Sequence, residues 1–280
     1  MDVRDRRRSA NRPLGRLAFL PLLLAACGSS APTGPEPVAR RFELPADPAA
    51  FFLIVDVGPG YWFVEHLVRP PRHALTVEGD LFSERLATAW PAPILPDIRR
   101  RRLSPGELRQ VLEAAGETAL PVAEDGTVIP EPTGRLADAG TTSFTLNAAS
   151  GERTVHVEGL TIARHTDPRA PALLDLYELL ERLAQQGESE RFTGERVEVF
   201  VLDDSGPPET EADAREWPFP ELPPAPPADR GCDTFGGETA ASVLAALEEE
   251  SNSARWNYEG KWYQILARPL LPGEGGCGVF

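Results

Sequence analysis

Histidine beside carboxylate is the residue pairing in this chain best suited to chemistry. His66 and His73 stand close to Glu65, Glu78 and Asp80, and such groups supply a hydrolytic base or zinc ligands. The spacing between the two histidines matches no metal pattern, and an acidic chain always offers nearby carboxylates. The favoured reading is therefore polar residues on half-buried strands, with a hydrolase using the His66/His73 region as the alternative. Arg99 to Arg102 form a basic run. It reads as a docking strip for an anionic polymer or phosphate, or, preferably, as strand arginines paired with the many acids around them. Trp256, Tyr258, Trp262 and Tyr263 offer a stacking platform, although hairpin aromatics more often face a core. No G-x-S-x-G, P-loop, H-E-x-x-H, C-x-x-C or EF-hand loop occurs. Gly58 and Gly60 lack the third glycine of a dinucleotide fingerprint. The expectation is no cofactor and no tightly held metal.

The three cysteines divide by position. Six arginines lie between Arg4 and Arg16, and the apolar run LAFLPLLLAA follows from Leu17 to Ala26. A charged start, a short apolar stretch and a small-residue cut site read as a signal peptide; about 20 apolar residues would be needed to span a bilayer. Leu24-Ala25-Ala26-Cys27 resembles the lipobox of bacterial lipoproteins, which implies cleavage before Cys27 and a diacylglyceryl group on its thiol. Gly28 follows, so no aspartate is present as an inner-membrane retention signal, which favours the outer membrane where a cell has two. Cys232 and Cys277 remain as an even pair, expected to form a disulfide in an oxidising compartment. Metal-binding or catalytic thiols are the rival reading, but no histidine lies between or near them.

The net charge is −15, and a leader with six Arg and two Asp leaves the mature 254 residues near −19. Such a chain is a poor binder of nucleic acid or anionic headgroups over its whole surface. The expected partner is the membrane, through N-terminal acyl chains, on the extracytoplasmic face of the cell membrane or outer membrane.

The supporting elements follow from pattern. Residues 1–26 are the leader and 27–46 a polar, Pro-rich tether. FFLIVDV and YWFVEHLV read as two strands with a turn, and HALTVE and LFSER as a hairpin with a two-residue turn at Gly79-Asp80. Ser104-Pro105-Gly106-Glu107 offers an N-cap, a proline at the first helical position and a glutamate at the third. That helix buries Leu108, Val111, Leu112 and Ala115 and stops at Gly116. A loop covers Pro121 to Gly140; SFTLNA and RTVHVEGL form a third hairpin. Pro171 opens a helix lined by Leu173, Leu174, Leu176, Tyr177, Leu179, Leu180 and Leu183. The result is an α+β domain over 47–187, with helices packed on antiparallel hairpins. A smaller disulfide-stapled β-α-β-β unit over 188–280 follows, with a Pro-rich loop at 204–229 acting as cover or linker.

In the closing hairpin, a two-residue turn at Glu259-Gly260 sets the faces. Ala254, Trp256, Tyr258, Lys261, Tyr263 and Ile265 fall on one side, covering the helix at 240–250; Arg255, Asn257, Trp262 and Gln264 fall on the other. Trp262 is thus the expected exposed aromatic and the candidate ligand contact.

Cys27, the phrases HALTVEGDLFS and RRLSPGEL, the third hairpin, and the ending W-x-Y-x-G-x-W-Y with RPLLPGEGGC together resemble a group of lipoproteins from high-GC bacteria. The resemblance implies the topology and the lipid anchor. That group has no assigned activity, so no functional residue comes with it, and a binding or structural role is the expectation.

Overall fold

In the computed structural model, residues 42–58, 68–88, 90–130, 140–202, 206–219 and 230–277 are described. Cys27, Glu65 and His66 lie outside them, as does most of the strand expected at YWFVEHLV. The fold is α+β, with four α-helices among the described residues and two mixed sheets.

The first sheet is built from β1 (Phe51–Gly58), β2 (His73–Thr76), β3 (Asp80–Arg85), β4 (Asp97–Arg102), β5 (Thr127–Ile129), β6 (Thr141–Ala148), β7 (Gly151–Glu158) and β8 (Glu190–Arg191). Its order is β5-β7-β6-β1-β2-β3-β4-β8. Both edges of β1 are occupied, by β2 and β6; the strand expected after Gly60 lies almost wholly outside the described residues. The β2–β3 connection differs from expectation. Leu75 pairs with Leu81, and Gly79 turns at φ 93° while its N–H bonds to the Thr76 carbonyl at 2.9 Å. The connection is therefore the three residues Val77, Glu78 and Gly79, and Asp80 already belongs to the strand. The loop expected over Pro121 to Gly140 contains β5, which joins β7 in parallel.

Helix α1 (Pro105–Glu117) starts as its sequence dictates. Ser104 Oγ accepts from the Glu107 N–H, and the Glu107 carboxylate accepts from the Ser104 N–H at 2.8 Å. It does not stop at Gly116, which is buried inside the last turn; Thr118 closes it, donating its hydroxyl to the Ala115 carbonyl at 2.7 Å. A short turn, α2 (Leu160–Ala163), leads to α3 (Ala170–Gln185), whose six leucines are all buried. With α1, it covers the sheet face that carries Leu53, Val55, Leu75, Leu81, Phe144 and Leu146. Phe42 and Leu44, assigned above to the tether, pack on this core, and the Glu43 carbonyl accepts from the Ala149 N–H at 2.8 Å. The packed chain thus begins before Phe51.

The second sheet contains β9 (Arg196–Leu202), β10 (Ala214–Glu216), β11 (Arg230–Gly236), β12 (Arg255–Tyr258) and β13 (Lys261–Pro269), in the order β10-β12-β13-β9-β11. Helix α4 (Gly237–Leu247) lies against it, burying Ala240, Val243 and Leu247 on Val197, Val199, Trp256 and Ile265. The closing hairpin has the expected register: Trp256 opposes Tyr263, Asn257 opposes Trp262 and Tyr258 opposes Lys261. Glu259 and Gly260 both have positive φ, 52° and 79°, the twist that a two-residue hairpin turn requires. Part of the Pro-rich stretch is ordered too: Trp217 is buried edge-on against Trp256, with ring centroids 5.6 Å apart. The expected disulfide is present, Cys232–Cys277, with Cα atoms 5.7 Å apart.

Truncating Trp256 removes the centre of the second core. Trp256→Ala should lower unfolding stability by about 3–5 kcal/mol, whereas the half-buried Trp262 should lose clearly less on the same change. Urea denaturation of the two variants compares them, and equal losses would contradict this packing.

Candidate functional site

The first group to test is His73. It sits on β2 facing α3, and strand pairing places Ser83 of β3 directly opposite. The Ser83 Oγ lies 2.9 Å from His73 Nδ1. His73 Nε2 lies 3.2 Å from Glu181 Oε1, at an angle too bent for a full hydrogen bond. The same carboxylate oxygen accepts from Arg72 Nε at 2.6 Å and from the Tyr177 hydroxyl at 3.0 Å. The tautomer follows from the neighbours. A carboxylate can only accept, so Nε2 carries the proton and Nδ1 accepts from the Ser83 hydroxyl.

Burial is the largest influence on both titrating groups. It drives the His73 pKa down, outweighing the pull of Glu181. On Glu181 burial acts to raise the pKa, but the imidazole N–H and the Arg72 guanidinium together hold the carboxyl well below its ordinary range. The result is a neutral imidazole between a hydroxyl and an ionised carboxylate. In chemical type this is the relay of a serine hydrolase. Its access is not: His73 is 1% exposed and Ser83 7%, and neither borders the cavities beside Trp90 or Phe192. His66 lies outside the described residues, and Glu78 and Asp80 engage Arg102 and Arg100 instead.

The basic run is fully engaged. Arg99 meets Asp97 at 2.7 Å, Arg100 meets Asp80 at 3.0 Å, and Arg102 reaches Asp80 at 3.2 Å. Arg101 joins Glu107 at 2.6 Å and donates to the Leu183 carbonyl at 2.7 Å, tying β4 to both helices. Paired strand arginines are thus what the structure shows, each of the four meeting a carboxylate.

Near the disulfide, Glu198 is buried and ion-paired with Arg268 at 2.9 Å, and the Cys232 sulfur is 3.7 Å from its carboxylate. Glu198, Cys232 and Cys277 would suit a metal by proximity, but the S–S bond removes both thiolates.

Trp262 occupies the polar face of the β12–β13 hairpin, as expected, yet it is half-buried. The strongly exposed aromatic is Trp90, at 82%, in the connection between β3 and β4. Two cavities of about 570 Å³ each meet at its indole. Sequence reading passed over Trp90. Its only signal was a tryptophan inside LATAWPAPILP, where prolines and the lack of any apolar period deny it a regular element to pack on.

The chain matches no family model, no curated protein and no solved structure. Function therefore rests on the residues alone.

The His73 cluster makes stability acid-sensitive. A histidine whose folded pKa is below its unfolded value contributes fully above about pH 6.5 and loses that contribution as pH falls. Glu181, also depressed, adds a second loss as pH falls through and below the carboxylate range. Between about pH 6.5 and 5, His73→Gln should flatten the pH dependence of unfolding, removing a slope of up to about 1.4 kcal/mol per pH unit. An unchanged slope in the variant would mean that His73 titrates normally in the folded protein.

Proposed function

We propose that this chain is an extracytoplasmic lipoprotein, acylated at Cys27, whose folded part binds a ligand or supports the envelope rather than catalysing a reaction. The observation that carries the reading is the Cys232–Cys277 disulfide. Structural disulfides persist in oxidising compartments and are rare in the cytosol. The compartment it implies is the one to which the leader sequence and Leu24-Ala25-Ala26-Cys27 point independently.

The physical roles of the parts agree. Two or more acyl chains hold a protein firmly to a bilayer, whereas one holds it only reversibly. A strongly acidic body adds no electrostatic attraction to anionic headgroups. The membrane partner is thus engaged through the N-terminal lipid alone. Gly28 in place of aspartate favours the outer membrane in a cell that has one. A structural disulfide closing 45 residues is worth roughly 4 kcal/mol in the chain-entropy model, which suits a small sheet whose strands come from scattered segments.

A hydrolase is the second reading, and the Ser83–His73–Glu181 contacts favour it. Against it stands the burial of the hydroxyl, since a nucleophile must reach its substrate. Labelling by a fluorophosphonate at Ser83 would revive this reading.

Mass spectrometry of the mature N-terminal peptide should show acylated Cys27. Cys27→Ala should release the protein from membranes or block its processing, and an unmodified N-terminus at another residue would remove the anchor. Denatured without reductant, the protein should take up no maleimide at Cys232 or Cys277; two labelled thiols would place it in a reducing compartment.

A further inference from the structure

We propose that the cleft on either side of Trp90 binds a neutral oligosaccharide, with the indole as its stacking platform. The inference rests on the extracytoplasmic binding role given above and names the ligand class and the site.

Trp90 is the starting observation. An indole 82% exposed leaves a large apolar surface in water, where most tryptophans are highly buried. Leu86, four residues earlier, is 50% exposed, so the apolar surface is not confined to one ring. Trp90 and Asn252 line both cavities, which therefore adjoin at these two residues. Each, at about 570 Å³, falls within the roughly 300–1,000 Å³ of small-molecule sites.

Both cavities mix apolar and polar walls. On one side the walls combine Leu86, Ile94 and Leu266 with the charged groups of Arg69, Glu84 and Asp97. On the other, Pro91, Pro207 and Pro208 give rigid apolar edges, and Glu209, Ser253, Arg255 and Gln264 bring polar groups. Several of these polar groups are fixed in place beforehand. Arg255 Nη1 donates to the carbonyls of Asn252, Ser253 and Ala254, at 3.1–3.3 Å. Gln264 Nε2 donates to the Asn252 carbonyl at 3.3 Å, and the Ser253 hydroxyl to Asp213 at 2.8 Å. Side chains held this way lose little entropy on binding.

An aromatic face beside planar amide, guanidinium and carboxylate groups suits a pyranose. The ring presents axial C–H bonds to the indole and a rim of hydroxyls that both donate and accept. A polyanion is disfavoured by the net charge of −15 and by the carboxylates of Glu209 and Asp213 in the cleft. A neutral sugar meets no such repulsion. A proline-rich peptide also stacks on tryptophan, but such grooves are lined mainly by aromatics, and here Trp90 is the sole aromatic among the described residues lining either cavity.

The test is titration of the full acylated chain, held in a detergent without a sugar headgroup, with cellotetraose and with chitotetraose. Calorimetry and tryptophan fluorescence read the binding. At least one saccharide should bind with a sub-millimolar Kd. Trp90→Ala should weaken it by roughly ten-fold or more, while Trp90→Phe retains part of the affinity and Val128→Ala, an exposed change on β5 of the other sheet, leaves it unchanged. The ring at Trp90 lies largely in solvent, so these variants keep the fold, which circular dichroism verifies. Absence of binding at millimolar saccharide overturns the proposal, and so does binding indifferent to Trp90→Ala. A response to a proline-rich peptide but to neither saccharide overturns it in favour of a polypeptide ligand. A chain acylated at Cys27 that binds no saccharide would leave the lipid anchor standing, so the two readings fail separately.

Discussion

Strands β2 and β3 are buried on both faces, and much of the architecture follows from that constraint. All four residues of β2 are buried, and so are the first four of β3. One face lies under α1 and α3. The other presents Ala74, Phe82 and Ile98, which need a second cover, and Phe192 and Leu271 supply it. Phe82 and Phe192 meet edge to face with centroids 5.0 Å apart, a favoured aromatic geometry. Because Leu271 follows directly on β13, closing the first core fixes the chain just beyond the second sheet. The turn there is held by the Glu274 carboxylate, which accepts from Arg268 Nη1 at 2.9 Å and from the Leu271 N–H at 2.8 Å. Cys277 is thereby delivered to Cys232. The disulfide reinforces a path that hydrophobic burial already requires.

The same constraint explains why the β3–β4 connection is shaped as it is. It leaves the first sheet at Arg85 and returns at Asp97, and between these points it reaches the second. Ile94 and Leu95 join the core under α4, and the Ile94 N–H donates to the Glu250 carbonyl at 2.9 Å. With both ends anchored, Ile94 and Leu95 committed to the other core and Pro93 bridging Ser251, the described residues before Pro91 stay at the surface. Trp90 is exposed together with Leu86 to Thr88 before it, while Ile94 and Leu95 after it are drawn into the second core.

Most local physics was legible in the sequence, the Gly79-Asp80 turn and the Gly116 helix stop excepted, whereas strand pairing over long separations was not. The capping box at Ser104, the leucine face of α3 and the Glu259-Gly260 turn each depend on residues within a few positions of one another, and each formed as read. The pairing of β1 with β6 joins residues about 90 positions apart, and nothing in either strand specifies the partner. β11 was missed because RGCDTFG has a glycine near each end and no clean alternation; its strand character comes from the free edge of β9. At the candidate site, the hairpin face carrying Arg255, Trp262 and Gln264 was read correctly. The aromatic that faces the cleft comes from a different segment, and one strand's parity cannot reveal what approaches it from elsewhere.

The Ser83–His73–Glu181 contacts illustrate how little residue type says about role once burial is known. In a cleft, a neutral imidazole between a hydroxyl and a carboxylate is poised to move a proton. Under α3 the imidazole is shielded from water, Ser83 bonds to it, and Arg72 and Tyr177 bond to Glu181; a buried polar group without a partner costs about 1–3 kcal/mol. Arg72 extends the set, donating to Glu181 at 2.6 Å and to the Glu84 carbonyl at 2.7 Å, so helix and strands are joined through one guanidinium. Breaking any member strands the others. Such a cluster fixes the position of α3 over β2 and β3 more specifically than leucine packing alone, because leucines tolerate sliding and directed hydrogen bonds do not. The chemistry-bearing residues of the first sheet thus act as a strut between helix and strands.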